Sequence, residues 1–338
     1  MTDISVLFIP AGSGMAVSAI KSLRHCEDIT TVAADSDQLA PGLFLADQGY
    51  LIPLFKSPNF FSSLRKIVQK EKIDVIIPCL DPLLELFTKD KLHIEELLGT
   101  RILMSPADTI NITRDKWLTF QHLKNTLVFP QSWIELGCIP KNSFPLFVKP
   151  RKGSGSINTF VIQDRKELEF FFSYVKDPIV QEYLSGKEFT VDCLASPSGE
   201  LITVIPRERI QTKSGISTKA MFIEELEPFL QMAQIITEKL HLIGPFFFQL
   251  KENAEKILNV MEINARLSGT MIFSILSGFN IIEEAIRQFV EGKMSINTTE
   301  LKSKMFLPGR DFSYQHMFMS RYWEEIFVNP RDLKKAIE

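Results

Sequence analysis

Two hydrophobic periods alternate along the first third of this chain, and the switch between them outlines its elements. Short apolar runs, ISVLFIP, ITTVAAD, GYLIP, DVIIPC and RILMSP, are separated by stretches of helical spacing at 15–23, 59–70 and 82–98. Strands alternating with helices in this way predict a parallel sheet covered by helices over residues 1–107. Further on, KEFTVDCLA and ELITVIPRERI flank a Ser-Pro-Ser-Gly turn and read as a hairpin. Helices are expected over 165–174, 228–240 and 281–291. In the last of these, Ile282, Ala285, Ile286 and Phe289 make a core-facing stripe.

The pattern is most informative in PFFFQLKENAEKILNVMEINARLSG, residues 245–269, which predicts two strands joined by a polar loop. Alternation sends Phe246, Phe248 and Leu250 to one face and Phe247, Gln249 and Lys251 to the other. On the return strand, Leu258, Val260, Glu262 and Asn264 are expected to share a face, with Ile257, Asn259, Met261 and Ile263 opposite. Glu262 and Asn264 then stand side by side, with Gln249 on the neighbouring strand. Hard oxygens gathered in this way suit Mg²⁺, which takes one or two carboxylates and leaves other positions to water and phosphates. An exposed polar hairpin face would show the same spacing.

Composition narrows the classes. The 338 residues, 45% hydrophobic and 23% charged, suit a globular protein with two or three cored units rather than a disordered one. A net charge of −3 gives no broad basic surface for nucleic acid, so any anion site must be local. Cys26, Cys79, Cys138 and Cys193 lack zinc-type spacing and read as reduced, buried thiols. The five dispersed histidines read as structural or exposed. No apolar run approaches membrane-spanning length, and the expectation is a cytoplasmic protein with no membrane partner.

Other candidates are local. The turn Gly12-Ser13-Gly14 after the first strand, with Asp35 ending the second, has part of a dinucleotide fingerprint, but Val17 stands where the third glycine belongs. A tight strand-to-helix turn is the preferred reading. In PLFVKPRKGSGSINTFVIQ, Lys149 ends a strand before Gly153, Ser154, Gly155 and Ser156, whose backbone can surround phosphate oxygens. A flexible hairpin loop has the same composition, and the P-loop signature is absent. Arg207, Arg209 and Lys213 lie within seven residues at a strand end, as a solvated edge or an anion clamp.

Together these stretches resemble the ATP-grasp superfamily, and the Gln249, Glu262, Asn264 set is similar to that of carbamoyl-phosphate synthase large-subunit relatives. The resemblance covers about residues 4–292. It implies an α/β and α+β architecture: a Rossmann-like pre-ATP-grasp domain at 1–107, a lid subdomain at 108–185 and a C-terminal subdomain with the metal hairpin at 186–296. Residues 297–338 form an extension of unassigned role, which either packs on the fold or makes a subunit contact, as in a homodimer.

The resemblance also implies roles. Lys116 and Lys149 would bind phosphates under the 153–156 loop, Glu182, Tyr183 and Leu184 would form the adenine hinge, and Glu188 would take the ribose. Gln249, Glu262 and Asn264 would hold Mg²⁺, or Mn²⁺ in its place, while Arg266, Lys149, Arg207 and Arg209 would serve the transferring group and substrate. Gly14, Asp35 and Asp81 would face the shared cleft. The implied activity is ATP-dependent carboxylate–amine ligation through an acyl phosphate, on small-molecule carboxylate and amine substrates, amino acids among them. A small-molecule kinase and a nucleotide-binding module without ligase activity are the alternatives.

Overall fold

The computed structural model describes residues 3–223, 225–292, 318–321, 325–328 and 333–334. Its first sheet is fully parallel, in the order β3-β2-β1-β4-β5, from β1 (Ile4–Ile9), β2 (Ile29–Asp35), β3 (Gln48–Leu51), β4 (Val75–Pro78) and β5 (Arg101–Ile102). Helices α1 (Gly14–Ser22), α2 (Gly42–Leu45), α3 (Phe60–Glu71), α4 (Asp81–Thr88) and α5 (Lys91–Leu98) connect the strands. The single helix expected over 82–98 is two: α4 stops at Thr88, and Asp90 caps α5 by accepting from the His93 amide. Asp35 is buried and accepts from the backbone N–H groups of Gly12 and Asp37, which ties it into the first turn.

Helices α6 (Ala107–Arg114) and α7 (Lys116–Leu123) lead to a four-stranded sheet in the order β6-β9-β7-β8. It contains β6 (Ser132–Trp133), β7 (Leu146–Pro150), β8 (Phe160–Ile162) and β9 (Pro178–Glu182), with α8 (Arg165–Tyr174) between the last two. Asp115 separates α6 from α7 and accepts from the Trp117 and Leu118 amides, a cap that contributes about 1 kcal/mol. Arg151, one residue beyond β7, donates to both carboxylate oxygens of Asp115, joining the start of α7 to the end of β7.

The third sheet has the order β14-β13-β10-β11-β12-β15. Its strands are β10 (Glu188–Ala195), β11 (Leu201–Lys213), β12 (Ile216–Phe222), β13 (Gly244–Glu252), β14 (Leu258–Asn264) and β15 (Phe318–Ser320), and α9 (Glu227–Leu240) and α10 (Ile281–Glu291) complete the described α-helices. Phe246, Phe248 and Leu250 face the core with Ile236 and Leu240 of α9. Each such side chain contributes about 1.5–3 kcal/mol by leaving water.

Strict alternation fails on β14. Gln249 pairs with Glu262 but Leu250 pairs with Val260, so Met261 is the extra residue of a β-bulge. Val260 therefore enters the core with Ile263, instead of sharing the face of Glu262 as its spacing predicts. The bulge puts Met261 and Glu262 together on the wall of one cavity.

Much of the 297–338 extension lies outside the described residues; its described part supplies β15, antiparallel to β12. Among the described residues no helix is long and apolar enough to cross a membrane. The four thiols are unpaired; Cys79 and Cys193 are buried as expected, whereas Cys138 is exposed and Cys26 half-buried.

Candidate active site

The cleft lies between the four-stranded sheet and the polar face of the third sheet. Pairing Thr190 with Arg207 and Gln249, and Gln249 with Glu262, carries one row of polar positions across β11, β10, β13 and β14. A strand turns alternate residues to one face, so Glu188, Asp192, Arg209 and Lys251 extend this row. The opposite roof is the end of β7 and the glycine loop after it.

One cavity collects Lys116, Lys149, Gly153, Ser154, Gly155, Ser156, Glu182, Tyr183, Leu184, Glu188, Arg209, Gln249 and Glu262. These residues come from α7, β7, the loop, β9, β10, β11, β13 and β14, and are spread over more than a hundred positions of sequence. A second cavity adjoins the first, sharing Ser154, Gly155, Arg209, Gly215, Gln249 and Glu262, and adds Gly14, Met15, Arg266 and the loop Ser268–Gly269–Thr270.

Within the first cavity, Lys116 Nζ donates to the Gly153 carbonyl at 3.0 Å and stands 3.8 Å from a Glu262 oxygen. It thus links the roof to the hairpin. Lys149 is buried and reaches the Met261 carbonyl at 3.5 Å, a contact that the bulge makes available. Burial, then the like charge of Lys116, pulls the Lys149 ammonium down to about 7 against the opposing pull of Glu262 and Glu188. An amine so poised is only partly charged near neutral pH, and an anion beside it favours the ammonium.

Other pairs fix the floor. Arg209 forms an ion pair with Glu188 at 2.8 Å and donates to the Gly215 carbonyl at 2.6 Å; burial lowers its guanidinium from the usual range. Glu188, expected to take a ribose, is therefore already engaged from one side. Asn264 donates from its amide to Glu262 at 3.3 Å. Arg266 grips Asp81 with two nitrogens and lies over the Phe247 ring, 5.2 Å from its centroid. Burial pushes the Asp81 carboxyl up, but Arg266, with Arg114 and Lys116, outweighs it and holds the group below its usual value.

Arg207 stands apart from the other expected site residues. It is wholly buried, ion-paired with Asp192 and bonded to the Thr270 hydroxyl. Neither a solvated edge nor direct contact with a ligand fits that position, because the side chain is enclosed by protein. Arg209, 8% exposed, is not a solvated edge either. Lys213 lies at the exposed end of β11.

Sequence reasoning placed Lys251 on the cleft face without giving it a part; its ammonium lies 5.7 Å from the Tyr183 ring centroid and lines the cavity. Its position two residues after Gln249 was the available signal. Phe147, by alternation with Lys149, had a comparable one. Met261 had none, since a bulge leaves no mark in simple spacing. The roof also meets the β11–β12 turn: a side-chain carbon on Gly215 would stand 3.0 Å from Gly155 Cα.

Two family models match the chain. "ATP-grasp in the biosynthetic pathway with Ter operon" matches residues 174–306, and "PylC-like, N-terminal domain" matches residues 6–103. A D-alanine–D-alanine ligase from Petrotoga mobilis is 28% identical over 162 residues, 46% of this chain and 54% of the relative. The chain thus spans about half the length of the curated relatives it matches.

Among solved structures, the biotin carboxylase domain of the Hydrogenobacter thermophilus 2-oxoglutarate carboxylase, in complex with MgADP, ADP and bicarbonate, superposes with a TM-score of 0.69. It shares 14% identity, with 89% of this chain and 72% of that one covered. An L-amino acid ligase from Bacillus licheniformis gives a TM-score of 0.67 at 18% identity, covering 90% and 78%. At these identities the likeness speaks for the fold.

Proposed function

We propose that this chain, whose residues 174–306 match an ATP-grasp family model, is an ATP-dependent carboxylate–amine ligase forming an amide, ADP and phosphate. The observation that carries this reading is the convergence of Lys116, Lys149, the 183–184 hinge, Gln249 and Glu262 on one cavity under the 153–156 loop. The polypeptide is taken as units 1–107, 108–185 and 186–296, with the nucleotide between the last two. Its ligase relatives and structural neighbours support the class of reaction, and the name of the L-amino acid ligase makes amino acids the first substrates to try.

In this mechanism the backbone at Tyr183 and Leu184 reads the adenine edge and Glu182 closes the end of that strand. Lys116 and Lys149 neutralise the triphosphate, and the glycine loop excludes water. A substrate carboxylate oxygen attacks the γ-phosphorus, the bond to the β-bridging oxygen breaks, and ADP leaves. The amine then attacks the acyl carbon, loses a proton and expels phosphate. Little covalent help is needed from the protein; alignment and charge stabilisation supply the rate. Arg209 and Arg266, on the adjoining cavity, orient the carboxylate end of the acceptor.

Gln249, Glu262 and Asn264 would hold Mg²⁺ or Mn²⁺. One carboxylate and two amides, with Asn264 and Glu262 in mutual contact and Gln249 paired across the strands, fit a hard cation completed by phosphate oxygens. The ion would offset phosphate charge when bound. With an amide at 249, this set brings only one formal negative charge, which also fits the carbamoyl-phosphate synthase-like reading.

ADP release measured over a panel of amino acids and small carboxylic acids, each with and without an amine, tests the proposal. The ligase reading expects release that requires both partners, is lost without a divalent cation, and is abolished in Glu262→Ala while the fold survives. Release with a single acceptor would indicate a kinase. Tight ATP binding without turnover would indicate a binding module, and full activity in Glu262→Ala would reject the site.

A further inference from the structure

The loop Ser268–Gly269–Thr270 forms one wall of the second cavity. Each of its residues is held by a charged side chain from a different strand or segment. Ser268 donates to Asp192 of β10 at 2.8 Å, Thr270 accepts from Arg207 of β11, and the Gly269 carbonyl accepts from Arg321 at 2.9 Å. Asp192 and Arg207 are wholly buried, so they act on a ligand only through this loop.

Arg321 directly follows β15. Its own N–H donates to the Thr218 carbonyl of β12 at 2.8 Å. Strand β12 supplies Ile216 and Ser217 to the same cavity. One short stretch, 318–321, therefore binds both walls: it pairs with β12 through the backbone and reaches the loop through a guanidinium. Burial and the nearby Arg207 lower the Arg321 guanidinium from its usual value, as expected for a cation inserted behind the wall.

We propose that the C-terminal strand is part of the acceptor side of the cleft, and that Arg321 is a positioning residue holding the Ser268–Gly269–Thr270 loop where the second substrate binds. This rests on the ligase reading for the identity of that substrate. The mechanical claim, that one guanidinium orders one wall, stands on the contacts alone. Nucleotide binding should be indifferent to Arg321, because the hinge, the lysines and the glycine loop lie on other elements.

The test compares full-length Arg321→Ala and Arg321→Lys with the wild type. Amide hydrogen exchange over 268–273 should accelerate about tenfold in Arg321→Ala, the scale of one lost charge-assisted hydrogen bond, with hinge and roof amides unchanged. MgATP affinity should hold. For the acceptor that stimulates ADP release, KM should rise by about tenfold with kcat little changed, and Arg321→Lys should recover most of the loss, since an ammonium can still donate to Gly269.

Unchanged exchange over 268–273 overturns the proposal. So does a loosened loop with unchanged KM, or ATP affinity falling in step with KM, which would mark a general structural role. A wild-type protein silent toward every acceptor would sink the ligase reading alone, and the exchange comparison would still decide whether Arg321 holds the loop.

Discussion

Lys149 is a residue whose charge depends on what occupies the cleft. With a value near 7, it is largely neutral at pH 8 in the empty cavity, and a triphosphate beside it favours the ammonium. Nucleotide binding at pH 8 should therefore take up a proton. Calorimetric titration in buffers of different ionisation enthalpy should show this uptake, and Lys149→Met should abolish it; identical wild-type and variant proton balances would contradict it. The stability sign follows from the same shift. Because the folded value lies below that of a free lysine, the cost of the buried charge is complete below pH 7. It is relieved as pH rises toward the ordinary lysine range. Gln249 and Glu262 could be read as cleft-facing from period-two spacing, and both are. Arg207 could not be placed, because spacing does not reveal that Asp192, fifteen residues earlier and diagonal to it on β10, pairs with it where both side chains are enclosed by protein.

At the scale of elements, the roof and the β11–β12 turn form one device. Gly215 has φ +73°, and an added side-chain carbon would press on the Gly155 backbone. Gly215→Ala should cost about 1–2 kcal/mol of stability through left-handed strain. The same carbon opposes the roof, so ATP affinity should also fall, by about tenfold for each 1.4 kcal/mol lost from the closed state. Thermal melts with and without nucleotide separate the two effects; an intact affinity would mean that turn and roof do not meet in the bound state. The alternating strands and helices of the first sheet were legible because a doubly covered parallel sheet demands that pattern. The bulge in β14 was not, since a register shift depends on the partner strand. Strand β12 escaped notice because ISTKAMF mixes exposed and buried positions irregularly beside two register shifts in its pairing with β11.

Across the whole molecule, one hydrophobic core includes Leu7, Ile76 and Leu84 beside the first sheet and Ile236, Phe246 and Val260 beside the third. Polar ties reinforce this union: Arg266 grips Asp81, Thr109 bonds the Leu240 carbonyl, and Arg287 pairs with Asp28. The four-stranded sheet has a smaller core of its own, around Leu146, Val148, Ile162 and Val180. Native-state hydrogen exchange should accordingly find β1 and β13 opening together at the global free energy, and β7–β9 opening below it. Distinct opening energies for β1 and β13 would contradict a shared core. Separate opening of the roof over the floor would serve the proposed chemistry, which must admit substrates and then exclude water. The chemistry is tested most directly by supplying the active carboxylic acid with heavy oxygen in its carboxyl group and analysing the released phosphate. An acyl-phosphate route predicts one labelled oxygen in each phosphate formed, in step with ADP; unlabelled phosphate at full turnover would contradict it.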